Sequence, residues 1–257
     1  PICKVKRIAM LLFAGLLFAV FFNGYQQAGP AKKKFKKLGE GSEVIDLTVE
    51  KKVEEKNLLA EVSGDKKLKD WAGWWKGCLP DFSLGNMQDL GTTGLGEEAI
   101  PPLSPAMTEG PQAMFYIKSP DGTHTLNPWH NRLLYKKEAD GWQPYIELPC
   151  GVALYDTKAK TGRNILECSA LEGIDDAFWK GRDLIVIMGY EALTRQMNVE
   201  CEGVETCVSP VVWIVDLKSR VVNEHRGVVV HRKKSPCELG GYLKVRLPKF
   251  YNEEKKK

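Results

Sequence analysis

The sequence is poor in the residues and spacings that most site chemistry needs. Its 257 residues include four histidines, at 124, 130, 225 and 231. Within each pair the spacing is six, too long for adjacent ligands on one strand, and neither H-x-H nor H-E-x-x-H occurs. No metal site is expected from them. Cys-x-x-Cys is missing, and so are G-x-S-x-G and any phosphate-cradling glycine loop. No cofactor and no catalytic set is therefore expected. An excess of charge of one sign is lacking too: 37 basic side chains face 33 acidic ones, for a net +4. Nucleic-acid binding requires positive charge clustered on a folded face, so no nucleic-acid partner is expected. Helix-length amphipathic patterns are absent after Asp81.

A long apolar run is also wanting. Ile8 to Phe22 supplies fifteen uncharged residues, where a bilayer span takes about 20. Lys4, Lys6 and Arg7 precede it, which is the layout of a secretory signal peptide. The A-x-A cleavage pattern is missing; the nearest cleavage point follows Ala28. Two readings stay open: a cleaved signal peptide over residues 1–28, or a signal anchor attaching the chain to the membrane through residues 8–22. The run "KKKFKK" beyond the segment would favour a cytoplasmic side by the positive-inside rule. The cysteines argue for export. Six lie beyond the segment: Cys78, Cys150, Cys168, Cys201, Cys207 and Cys237. An even set in an exported chain points to disulfides, and buried free thiols are the alternative. Within "CEGVETC", Cys201 and Cys207 can close a short loop about Gly203, and this disulfide is expected.

Composition divides the rest. Residues 29–70 are polar and rich in Lys and Glu, and read as a linker. A disulfide-stapled β domain is expected over 71–247, and a frayed tail over 248–257. Trp71, Trp74 and Trp75 share one side of a helical turn. They form either an N-terminal flap packed on the sheet core, or a sugar-stacking or membrane-interface patch. Gly91 to Gln112 is dense in Gly and Pro and reads as a long loop or irregular edge. From Ala113 onward, four segments read strand, turn, strand: "AMFYIKSPDGTHTL", "GVALYDTKAKTGRNILEC", "DDAFWKGRDLIVIMGY" and "PVVWIVDLKSRVVNEHRG".

These segments repeat. Gly122 aligns with Gly181, 59 residues on, and Asp156 with Asp216, 60 residues on. The fold class is therefore mainly β: two repeated four-stranded antiparallel units, as a propeller-blade-like stack or partial propeller, with a Trp-rich N-terminal flap. Asp156 and Asp216 are read as turn-closing side chains. Glu172, Asp175 and Asp176 are read as a solvated turn entering a strand at Ala177, with acid–base or calcium chemistry as the alternative.

"SPDG" (119–122) followed by "VALYDTKAKTGR" (152–163) resembles the repeats of TolB-type β-propellers, over residues 113–227. The second unit departs from that pattern, with "FWKGRD" and "VDLKSRVV" at the two turns. The resemblance implies a bacterial envelope setting, in the periplasm or anchored at the inner membrane facing it.

Two connections are too long for hairpins: "NPWHNRLLYKKEADGWQPYIELPC" and "EALTRQMNVECEGVETCVSP". Long connections on one edge of a repeat stack tend to form its binding face. The candidate binding residues are Trp129, His130, Arg132, Tyr135, Trp142, Tyr190, Arg195 and Gln196. The alternative is that these connections pack on each other. The expected function is a non-catalytic interaction or scaffolding module, binding an envelope protein or a polar ligand such as a glycan. An envelope hydrolase and a carbohydrate-binding module are the alternatives.

Overall fold

A computed structural model describes residues 57–139, 141–147, 150–169, 172–193, 207–231 and 240–254. They belong to one compact unit, Glu54–Lys257. The apolar segment 8–22, the basic run after it, and Arg195, Gln196 and Cys201 lie outside the described residues. Among the described residues, no helix is long and apolar enough to cross a membrane.

The first described elements are α1 (Leu58–Val62) and α2 (Lys66–Cys78). Strands follow: β1 (Gln88–Gly94), β2 (Glu98–Ile100), β3 (Ile117–Lys118), β4 (His124–His130), β5 (Leu133–Glu138), β6 (Gly141–Ile146), β7 (Gly151–Asp156) and β8 (Thr161–Glu167). Then come β9 (Glu172–Lys180), β10 (Leu184–Leu193), β11 (Cys207–Asp216), β12 (Val221–Arg226) and β13 (Val230–His231). Two short helices, α3 (Gly241–Arg246) and α4 (Pro248–Glu254), end it.

The mainly β expectation holds, and every pairing is antiparallel. A six-stranded sheet runs β1-β12-β11-β10-β9, with β13 also paired to β11. A five-stranded sheet runs β2-β8-β7-β4-β3, and β5-β6 stand apart as a hairpin. Neither large sheet closes into a barrel among the described residues.

β10 ("LIVIMGYEAL") and β11 ("CVSPVVWIVD") each carry nine consecutive buried residues. Such unbroken runs arise when a sheet is covered on both faces. One face is met by the five-stranded sheet: Ile185, Ile187, Val211 and Trp213 share a core with Leu126, Val152, Leu154 and Ile165. The other face is met by the helices: Val186, Met188, Val212 and Ile214 pack with Leu59, Val62, Leu68, Trp71 and Trp75.

Helix α2 starts where the Asp65 carboxylate accepts the Lys67 backbone N–H at 3.0 Å, an N-cap. Leu68, Trp71, Trp75 and Cys78 then make one buried stripe at spacings of three and four. Trp71 packs edge-on to Trp75 and Phe82, and Trp74, at the rim, meets Tyr242.

Three boundaries differ from expectation. Leu59, Val62 and Leu68 are buried, so the end of the polar segment belongs to the fold rather than to a linker. Five-residue α1 offers only two buried side chains, too few to stand out in a Lys/Glu-rich stretch. The Gly/Pro-dense segment contributes β1 and β2, which add to the outer edges of β12 and β8. All seven residues of β1 are exposed; it is a strand because an edge offered it partners, not because its residues favour one. A bulge at Leu90 interrupts its pairing, which blunts an open edge. Finally, the expected frayed tail holds Phe250, fully buried against Phe115, Tyr135 and Tyr251.

Phe250→Ala separates a packed tail from a frayed one. We expect a loss of about 3–5 kcal/mol in urea unfolding. A frayed residue would change stability by under about 0.5 kcal/mol.

Candidate functional site

Beyond the free edge of β9, the turn after β4 meets the start of β7 and the end of β8. Asn131 takes a left-handed conformation (φ 63°), and the Arg132 backbone N–H donates to the Trp129 carbonyl at 3.0 Å. The chain reverses there and sends the Arg132 side chain inward. Its Nη1 donates to the Glu172 carbonyl at 3.3 Å. The Cys150 thiol approaches the same carbonyl, at 3.9 Å. Gly151 pairs with Glu167, so Cys150 and Cys168 lie opposite one another on the next rung. The Cys168 N–H donates to the Cys150 carbonyl at 3.0 Å, and the two thiols are close enough to influence each other's ionisation. Arg132 is also close enough to the Cys150 thiol and the Tyr190 phenol to act on the charge of both.

Tyr190 reaches Arg132 by crossing a glycine. It pairs with Gly173 on β9, and a Cβ at 173 would clash with the hydroxyl end of the Tyr190 ring. Any side chain there would displace the phenol from the cluster.

A bulge in β9 aims the carboxylates. Met188 pairs with Asp176 and Gly189 with Ile174, which leaves Asp175 as the extra residue. Ile174 and Ala177 therefore face the inter-sheet core, while Phe178 faces the helices. Asp175 is buried beneath the tryptophan helix, where its Oδ2 accepts the Trp71 Nε1–H at 3.0 Å. Asp176 is equally buried, and its Oδ2 accepts Arg246 Nε–H at 2.7 Å, tying α3 to the sheet. Asp175 Oδ1 and Trp75 Nε1 are sealed from solvent without a hydrogen-bond partner.

The surroundings set the charges. Hydrogen bonding from Cys168, helped by the Arg132 guanidinium and opposed by burial, pulls the Cys150 thiol down to about 7. The same contact and burial push the Cys168 thiol up. Burial pushes the Asp175 carboxyl up to about 7, against the Trp71 hydrogen bond and the nearby Arg132. Burial also raises the Tyr190 phenol, with Arg132 opposing. The cluster can thus hold a thiolate beside a guanidinium, with a second thiol in contact.

The expected binding residues are placed unequally. Arg132 and Tyr190, from the two long connections, do converge. Trp129, Tyr135 and Tyr190 are buried on strands, however, and do not stand on an open loop face. Trp129 Nε1 donates to the Ile174 carbonyl at 3.2 Å, and Tyr135 stacks on Phe115. The His130 ring lies against Tyr155, and burial lowers its basicity. Trp142 is half-buried on β6 beneath Lys137. Cys207 begins β11 and is disulfide-bonded. Its expected partner Cys201 lies outside the described residues, as do Arg195 and Gln196.

Glu172, Asp175 and Asp176 are part of β9, not a solvated turn before it. A run of acidic residues looks like a turn because burial without partners is costly; here Trp71 and Arg246 supply partners from remote segments. Comparison of the chain with protein-family models, curated proteins and solved structures finds no match. Its own geometry carries the functional argument.

The Asp175 carboxyl gives a pH test. Its folded pKa lies above the unfolded value near 4, so its stabilising contribution is complete below about pH 4 and is lost as pH rises to about 7. Asp175→Asn keeps an acceptor for Trp71 and removes the charge. We expect equal urea midpoints for the two proteins near pH 4, and the variant ahead by about 2–4 kcal/mol at pH 8. A gap independent of pH would contradict the buried-charge account.

Proposed function

We propose that the protein is an exported, non-catalytic interaction or scaffolding module, and that the outer face of the β5-β6 hairpin is its partner surface. The observation that carries this reading is the hairpin's construction. It belongs to neither sheet, and an isolated two-stranded hairpin is marginal in water. Leu133 and Tyr135 lock its inner face into the core. The outer face carries Leu134 opposite Tyr145 and Lys136 opposite Gln143. Lys136 Nζ stands 4.4 Å from the centre of the Tyr145 ring and 2.6 Å from Glu147 Oε1. The Tyr145 hydroxyl donates to Glu138 at 3.2 Å. An aromatic ring held among charges on the outer face is the composition of an interface anchor.

Further observations support the parts of this reading. Cys78 and Cys207 are disulfide-bonded, which suits an oxidising compartment. The repeat reading is supported by two meanders of equal order, β3-β4-β7-β8 and β9-β10-β11-β12. Gly122 and Gly181 both take φ 70°. Asp156 accepts the N–H groups of Lys158 and Ala159, as Asp216 accepts those of Lys218 and Ser219. We read the two sheets as a pair of blade-like units packed face to face, with the hairpin inserted into the first; the envelope setting rests on the TolB-type resemblance. The glycan-stacking alternative loses its surface, since Trp71 and Trp75 are buried. The burial of the Asp175 and Asp176 carboxylates supports the non-catalytic reading over a hydrolase that would use this pair; Glu200, Glu202 and Glu205 lie outside the described residues.

A photo-crosslinking residue at position 145, compared with one at Lys158 on the β7-β8 turn, tests the surface in envelope extract. We expect a discrete protein adduct from position 145 only, weakened at least tenfold by Lys136→Glu. Equal labelling at both positions, or none at 145, would refute the assignment.

A further inference from the structure

We propose that Cys150 and Cys168 are a redox-active dithiol that closes to a cross-strand disulfide by exchange with a disulfide co-reactant. Geometry is the first ground. Residues directly opposite in an antiparallel pair have Cα atoms about 4.5–5.5 Å apart, inside the range a disulfide accepts. Both side chains are on the same face, in the inter-sheet core. Cys150 and Cys168 carry free thiols, whereas Cys78 and Cys207 are already bonded.

Asymmetry is the second ground. Arg132 and Cys150 reach the same Glu172 carbonyl, which sets the guanidinium beside that thiol and favours its thiolate, while Cys168 stays a neutral thiol. One sulfur is prepared to attack and the other to resolve. The Cys150 thiolate attacks one sulfur of the co-reactant, forming a mixed disulfide and expelling the first thiolate. Cys168 then gives its proton to solvent and attacks the Cys150 sulfur, expelling the second. The pair loses two electrons and two protons; the co-reactant disulfide is reduced to two thiols. Cys150 is 4% exposed, so exchange proceeds through local opening at the start of β7. The closure is a property of these two strands whatever the hairpin binds; only its occurrence in the cell rests on the export reading.

Trypsin separates the two sulfurs for a direct test. Cleavage after Lys137, Lys158, Arg163 and Lys180 leaves Cys150 in peptide 138–158 and Cys168 in peptide 164–180. The full chain is reduced, desalted into oxidised glutathione, alkylated with iodoacetamide and digested without reductant. We expect a single species joining the two peptides. Separately alkylated peptides would overturn the proposal, whatever the crosslinking at position 145 shows. In Cys168→Ser the attacking sulfur has no resolving partner, so Cys150 should remain as its glutathione mixed disulfide; an unmodified Cys150 would overturn the order of attack. Arg132→Gln should slow closure several-fold at pH 7 and much less at pH 9, where the thiol ionises unaided. Slowing by the same factor at both pH values would overturn the role given to Arg132. Near-UV circular dichroism matching the parent shows that each variant is folded.

Discussion

Strands β10 and β11 have no face left for water, and the rest of the molecule is arranged by that burial. One side of their sheet needs a second sheet, and the meander β3-β4-β7-β8 supplies it. The other side needs a cover of similar breadth, and the tryptophans of α2 provide it. A helix with two fully buried indoles can cover much apolar area with few residues, because each ring contributes so much surface. Remove either layer and a row of Val, Ile and Met side chains would meet solvent, at a cost of about 25 cal/mol for each Å² exposed.

Burial on both faces also concentrates polar chemistry at the sheet's edge. β9 is the edge strand, and its bulge turns two successive carboxylates toward the helices. A carboxylate in that position must find a donor or take up a proton. Asp176 finds Arg246; Asp175 finds one indole N–H and keeps a raised pKa. On the same strand, Gly173 leaves room for Tyr190 to meet Arg132, and Arg132 in turn meets the thiol pair. The cluster is thus a consequence of how one strand ends. It links α2, α3, the β4-β5 turn and β7-β8 through groups that each need the others.

Much of the strand order was legible. Ser-Pro-Asp-Gly and the Asp-containing turns lie between the strands they were expected to join, because turn chemistry acts over four residues and needs no tertiary help. The long apolar runs marked the most buried strands for the same local reason. Placement of aromatics was less legible. Trp129 and Tyr135 lie in connections too long for a hairpin, yet β4 and β5 carry them inward, and only Trp142 and the outer face of the hairpin keep contact with solvent. Length marked the connection as unusual but did not reveal which faces of its hairpin would be buried.

By itself the sequence determined the β character, the sites of the turns and the helical stripe of tryptophan, since each is written in periodicity or in a residue's own backbone preference. Tertiary structure alone decided that β1 and β2 are strands, that Leu59, Val62, Leu68 and Phe250 belong to the core, and that Cys150 faces Cys168 beside Arg132. Those outcomes depend on which distant segment lies across the gap. A sheet edge, a remote arginine or an opposing rung leaves no local mark in the chain that will meet it.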